Sequence, residues 1–330
     1  MNKRNLAIVI GVCIVVAVAL VLVFTIGRQP AMEYKIGITQ IATHPALDLC
    51  REGFIDQMAE EGYVGNETVE YILRNAAGDM STAASIAAYF VSEEVDLIFS
   101  ITTPMTQACA SAVEGTDIPI VFAALTDPVA AGVAESWENP GGNITGASDW
   151  ADVGLQVKLG MDIYPASRLG VIYNAGEVNS VVQVEELKKV ALSLNITEIV
   201  EATVATSADV YAAAMSLVGK VDAIWEPSDN TVAAAIDSVV AVCEEYDIPL
   251  FASDVDMARA GAISGLGLDY YVNGQTAAKL AARVLEGEDP ANIPISKTPM
   301  TIVYLNPGAA ERMGITIPPA VLAKATELGE

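Results

Sequence analysis

From Tyr34 onward the chain alternates short apolar runs with stretches whose apolar residues recur at helical spacing. Such alternation is the mark of βαβ units, and hence of parallel sheets covered by helices on both faces. Tyr34–Thr39 predicts a strand and Ala46–Glu61 a helix, with Leu47, Phe54, Ile55 and Met58 on one face. Strand Glu67–Leu73, helix Met80–Val91 behind an Asp79 cap, and strand Val95–Ser100 follow. Helix Met105–Val113 and strand Ile118–Ala123 then lead through Gly141-Gly142-Asn143 to Ile144-Thr145-Gly146. A second series runs as helix Leu155–Tyr164, strand Leu169–Tyr173, helix Val181–Leu192 and strand Ile199–Ala202. It goes on with helix Ala208–Val218, strand Ala223–Trp225, helix Val232–Tyr246 and strand Pro249–Ala252. The apolar run Ala262–Leu266, helix Tyr271–Glu286, a strand near Thr301–Leu305 and a short helix from Pro319 complete the pattern. Roughly 300 residues suffice for two lobes with separate cores. The elements divide most simply near Gly146–Trp150.

Ahead of these elements lies one uninterrupted apolar run, Leu6–Ile26, behind the basic pair Lys3 and Arg4. Its length matches the roughly 30 Å hydrocarbon core of a bilayer, and the preceding charge keeps the N-terminus cytoplasmic. No strong small-x-small site closes the run at Phe24-Thr25-Ile26-Gly27, so the expectation is an uncleaved anchor, with a removed signal as the alternative. Cys13 sits behind Val12 and before more apolar chain, a poor lipidation signal. Either outcome puts the rest of the chain at the outer face of the cytoplasmic membrane, tethered or secreted.

Charge and rare residues narrow the chemistry. Forty-two acids against seventeen bases leave a net charge of -25, which repels nucleic acid. A single histidine argues against zinc catalysis and His-based hydrolysis. Cys50, Cys109 and Cys243 fall in predicted helices without metal-ligand spacing and are expected to be packed free thiols. No glycine-rich nucleotide loop is present, and nothing calls for a cofactor or metal. Asn66, Asn143 and Asn195 fit the glycosylation sequon as a possibility only.

Small polar residues gather where the predicted strands end, the edge at which parallel sheets present loops and helix N-termini to a ligand. In the first half these are Thr43 and His44 before Pro45, Thr103 before Pro104, and Thr126-Asp127 before Pro128. Proline after a threonine cap opens a helix whose free N–H groups can receive an anion. Thr103 is therefore either a cap alone or cap and carboxylate donor together. In the second half the candidates are Asn174, Asn179, Ser180, Asp229, Asn230 and Asp254. Asp229 or Asp254 would pair with a ligand ammonium, while turn formation and exposed loop acids are the plainer alternatives. Phe122, Trp150, Tyr173 and Trp225 are candidate stacking groups, with core packing equally open for Phe122 and Trp225. No set contains a nucleophile with an evident base, so an enzyme is not expected.

At these residues the chain resembles the exported substrate-binding proteins of ABC transporters, in the tryptophan/tyrosine-type branch. The ordered blocks include Thr43-His44-Pro45-Ala46-Leu47-Asp48, Arg51-Glu52-Gly53-Phe54 and Asn75-Ala76-Ala77-Gly78-Asp79. They continue through Thr103-Pro104, Thr126-Asp127-Pro128 and Pro140-Gly141-Gly142-Asn143-Ile144-Thr145-Gly146. Tyr173 to Ser180, Asp222-Ala223-Ile224, Asp229-Asn230-Thr231 and Gly267-Leu268-Asp269-Tyr270-Tyr271 complete them. The resemblance implies the periplasmic-binding-protein type I fold: two Rossmann-like α/β lobes with parallel-sheet cores joined by a three-strand hinge. It implies residues 1–33 as signal or anchor, lobe one as 34–146 with 267–296, and lobe two as 147–266 with 297–330. It also implies capture of a small solute between the lobes, an aromatic L-amino acid foremost, and delivery to a membrane permease. A nucleoside or other small polar ligand, or a tethered sensor ectodomain, stays open.

Overall fold

The computed structural model describes residues 34–329. The expected anchor Leu6–Ile26 lies outside the described residues, among which no helix is long and apolar enough to cross a membrane. Five strands come first: β1 (Tyr34–Gln40), β2 (Val69–Asn75), β3 (Leu97–Ile101), β4 (Ile120–Leu125) and β5 (Ile144–Ser148). The chain then builds β6 (Arg168–Asn174), β7 (Glu198–Val204), β8 (Ala223–Glu226), β9 (Leu250–Ala252) and β10 (Ser264–Gly267). Three short strands follow, β11 (Ser296–Lys297), β12 (Ile302–Leu305) and β13 (Glu327–Leu328).

These strands form two sheets, ordered β11-β5-β4-β3-β1-β2 and β13-β12-β10-β9-β8-β6-β7. The first is parallel throughout. The second is parallel except where β12 runs against β10. Each sheet has its own apolar core, the first around Phe54, Phe90, Phe99 and Phe122, the second around Trp225, Phe251 and Leu250. The chain passes from one sheet to the other after β5, after β10 and after β11. Ser296 and Lys297 pair with Ala147 and Ser148, so the first sheet extends two residues past Gly146 and includes Lys297. Gly146 lies within β5, and the strand pairing sets that limit.

Local departures from the sequence expectation have local causes. The predicted helix Val232–Tyr246 is broken into Asn230–Ala233 and Ile236–Glu245, with Ala235 at φ -134°, ψ 24° between them. Short helices at Val255–Arg259 and Pro307–Arg312 were too brief to show a period. The three described cysteines are buried and free.

One helix pair positions the mouth of the first lobe. Helices Pro45–Glu60 and Tyr270–Leu285 approach so closely that a Cβ on Gly53 would lie 2.1 Å from the Tyr271 carbonyl oxygen, and one on Gly274 1.9 Å from that of Cys50. Beside this contact Asn273, fully buried, gathers the crossing segments. Its Oδ1 accepts from the Ala124 N–H at 2.9 Å. Its Nδ2 donates to the carbonyls of Ala147 and Ser148, at 3.2 and 3.3 Å, and to Thr298 Oγ1 at 2.8 Å.

Candidate functional site

A cavity lies between the lobes, where the strand ends of the two sheets face each other. Its first wall begins after β3. Thr102 stands at φ 91°, ψ 155°, a region essentially reserved for glycine, and caps helix Thr103–Ala112 without a side-chain bond. The cap is therefore one residue earlier than predicted, and Thr103 is the first helical residue. Both hydroxyls line the cavity, are buried, and have no hydrogen-bond partner. Together with the first N–H groups of a ten-residue helix they form a corner with donors and partial positive charge of the kind that suits an anion. Across from it His44 caps helix Pro45–Glu60, its Nδ1 accepting from the Ala46 N–H at 3.3 Å. Thr43, also lining the cavity, accepts from Asn75 Nδ2 through its hydroxyl.

A second group gathers at the crossings. Asp149, the residue after β5, accepts from the Tyr270 hydroxyl at 3.1 Å through Oδ2, while its buried Oδ1 has no partner. Burial pushes this carboxyl up to about 6, opposed by the bond from Tyr270, and the charge of Asp254 adds to the rise. Asp254 accepts from the Met257 N–H at 2.8 Å through Oδ1. Burial raises its pKa too, with His44 acting in the opposite sense. The Tyr270 phenol is pushed well up by burial and by both acids. Among the described residues, three carboxylates, Asp149, Asp229 and Asp254, thus line the cavity, and His44 is its only basic lining residue. Such a lining favours a cationic group on the ligand.

The wall of the second lobe is more fully bonded. Asp229 accepts from the Val232 N–H at 2.8 Å with one oxygen and from the Asn174 N–H at 2.7 Å with the other. Burial and the charge of Glu177 push it up to about 6. Glu177 in turn accepts from the Asn230 and Thr231 backbones and from three side chains, those of Asn179, Asn230 and Thr231.

Of the residues expected at the site, Thr43, His44, Thr103, Thr126, Asn179, Asp229, Asn230 and Asp254 line the cavity. Three do not, because local bonds hold them elsewhere. Asp127 closes a turn on the Val129 and Ala130 N–H groups. Asn174 bonds Thr231 and Gly176, and Ser180 donates to the Asn174 and Glu177 carbonyls. The stacking candidates also fall away: Phe122, Tyr173 and Trp225 pack into the cores, and Trp150 sits 5.7 Å from Lys297 Nζ. Tyr270 is the aromatic side chain that lines the cavity instead. Sequence reasoning also missed Thr102, Asp149 and Ser228. Thr102 could have been found from its place directly after a strand and before Thr103-Pro104; Asp149 carries no such signal.

Two sheet-bearing lobes with a cavity between their strand ends form the architecture of a solute-binding protein. Residues 35–328 match the family model described as ABC transporter substrate binding protein, and the chain belongs to that family. It is 40% identical over 275 residues to a tyrosine-binding protein of Clostridioides difficile (strain R20291), covering 83% of this chain and 79% of that one. Against a Streptococcus pneumoniae ABC domain solved in complex with L-Trp it superposes with a TM-score of 0.86 at 34% identity, covering 90% of this chain and 100% of the other. Against the ligand-free, open structure of a substrate-binding protein with adhesive properties from Clostridium difficile the TM-score is 0.69 at 36% identity, covering 90% and 99%. At nearly equal identity the match is closer to the tryptophan complex than to the open form. An extracytoplasmic solute-binding role in an ABC importer, without enzymatic activity, follows from the family.

Proposed function

We propose that the chain captures an aromatic L-amino acid between its lobes and presents it to an ABC permease. One observation carries this reading. The same cavity holds two unpartnered buried hydroxyl donors, Thr102 and Thr103, and an unpartnered buried carboxylate oxygen on Asp149. An α-amino acid brings the complementary pair, a carboxylate for the first and an ammonium for the second. Asp254 supplies a second carboxylate at the ammonium end. Asp229 serves instead as a scaffold, because backbone N–H groups occupy both its oxygens. The named ligands of the two relatives, tyrosine and tryptophan, support the aromatic class. Closure turns the lobe of residues 34–148 and 268–297 against the lobe of residues 149–267 and 298–329.

Replacing Thr103 with valine keeps the shape and removes one donor from the carboxylate corner. A hydrogen bond to a charged group is worth about 1.5–3 kcal/mol, so affinity for the amino acid falls by about tenfold or more. Isothermal titration reads this directly, and an unchanged affinity sinks the carboxylate assignment. The run Leu6–Ile26 would hold this trap near its permease. Fractionation of the intact chain checks the tether: recovery free of membranes, with the run removed, counts against it.

A further inference from the structure

Thr102 keeps a backbone conformation that a residue with a Cβ leaves unless its neighbours hold it there. Hydrogen bonds on both sides of it do so. Its N–H donates to the Ala123 carbonyl at 3.1 Å, and its carbonyl accepts from the Thr106 N–H at 3.0 Å and from the Thr106 hydroxyl at 2.8 Å. A hydroxyl has one proton, and Thr106 gives it to that carbonyl, so Ser100 is the donor in the 2.8 Å contact between Ser100 Oγ and Thr106 Oγ1. Ser100, Thr106 and Thr102 thus form a directed relay, and all three are buried. Neither Ser100 nor Thr106 lines the cavity, so the relay acts from behind its wall.

What the relay fixes is the peptide that opens the helix. In a planar trans peptide the N–H points opposite to the C=O. With the Thr102 carbonyl drawn onto Thr106, the Thr103 N–H faces out of the helix start, where no intrahelical acceptor exists. The unpartnered hydroxyls of Thr102 and Thr103 stand at the same corner. Turning that peptide over would set a carbonyl oxygen, in place of an N–H, against an anionic group. The adjoining strand end is held in a similar way: Ala124, at φ 51°, lines the cavity and donates its N–H to buried Asn273. Resting on the carboxylate assignment above, we infer that Thr106, oriented by Ser100, is the positioning residue of the carboxylate corner. It touches no ligand, and it holds the Thr102–Thr103 peptide with its N–H toward the solute.

Competition titration of the intact chain with tyrosine and tryptophan, each beside the amine that lacks only its carboxylate, tests this. The unaltered chain binds at least one amino acid about tenfold or more tighter than its amine, tyramine or tryptamine. Thr106→Val keeps the shape and removes the hydroxyl; it weakens the amino acid about tenfold and the amine by less than about threefold, so the preference shrinks. Thr106→Ser restores the preference to within about threefold of the parent. Ser100→Ala leaves the helix untouched, shrinks the preference by a smaller factor, and takes the place of Thr106→Val if that variant does not fold. A cycle with Thr103→Val gives a second reading that needs no amine: two changes in one corner overlap, so the double variant loses clearly less than the product of the single losses. A preference unchanged in the variant, an equal loss for amino acid and amine, or single losses that multiply in full, overturns the inference and leaves the carboxylate assignment standing. If the unaltered chain binds amine and amino acid alike, or neither, that assignment falls and the inference with it.

Discussion

Exchanging Asp149 for asparagine lowers amino-acid affinity by about a hundredfold, the largest single effect expected in the cavity. The carboxylate is buried, one oxygen is committed to Tyr270, and the other is unpartnered. A desolvated ion pair of this kind loses about 2–5 kcal/mol when one charge is removed, because the other is left without compensation. Titration at pH 8 measures it; a loss under about threefold would assign the ammonium elsewhere. The same carboxyl makes binding pH-dependent. With its pKa near 6 in the ligand-free protein, and a bound ammonium requiring the ionised form, affinity weakens as pH falls through 6. Stability without ligand runs the other way. An acid whose pKa is raised by folding binds its proton more tightly when folded, so Asp149 costs stability as pH rises from about 4 to about 6, and that cost is full above 6. Asp149→Asn removes this contribution, so the ligand-free variant melts higher than the parent at pH 8 while binding far less.

Gly274→Ala has the largest expected effect on stability, about 3 kcal/mol or more. A methyl there would stand 1.9 Å from the Cys50 carbonyl oxygen, a backbone atom that cannot swing aside. Relief requires helices Pro45–Glu60 and Tyr270–Leu285 to separate, and overpacking of this kind costs about 1–3 kcal/mol even where side chains can yield. Separation also draws Asn273 away from its bonds at the crossings, adding unsatisfied polar groups. In a domain of this size such a loss lowers the melting temperature by roughly 6–12 °C. Calorimetry of the variant decides it, and a shift under about 2 °C would mean the helix contact is looser than described.

The lobes were legible because each element writes its own short-range period. Strands such as Leu97–Ile101 are buried end to end, and helices such as Met80–Ser92 declare themselves by cap and stripe. Strand ends could likewise be located, which is why most of the expected polar residues reach the cavity. Whether a given side chain faces the ligand or closes its own turn was not legible. Asp127 and Ser180 sit at the right strand ends and are consumed by bonds to neighbours a few residues away, and Asn174 by Gly176 and the distant Thr231. Asp149 was hidden for the opposite reason. Its role depends on Tyr270, 121 residues further on, which reaches it only because the chain crosses between the lobes again after β10. The choice between Asp229 and Asp254 for the ammonium also needed bonding partners, since both stand at strand ends in the sequence and only Asp229 has each oxygen bonded to a backbone N–H.

Asn273 has a consequence for the order of events during capture. By binding Ala147, Ser148, Thr298 and Ala124 together, its amide welds the crossing segments to the first lobe up to those residues. The pivot must then lie just beyond, so Asp149 and Tyr270 sit beside the axis and barely travel. Asp254 and Asn179 ride on the moving lobe, at the end of the lever. An arriving solute would thus meet Thr102, Thr103 and Asp149 before closure brings Asp254 and Asn179 onto it.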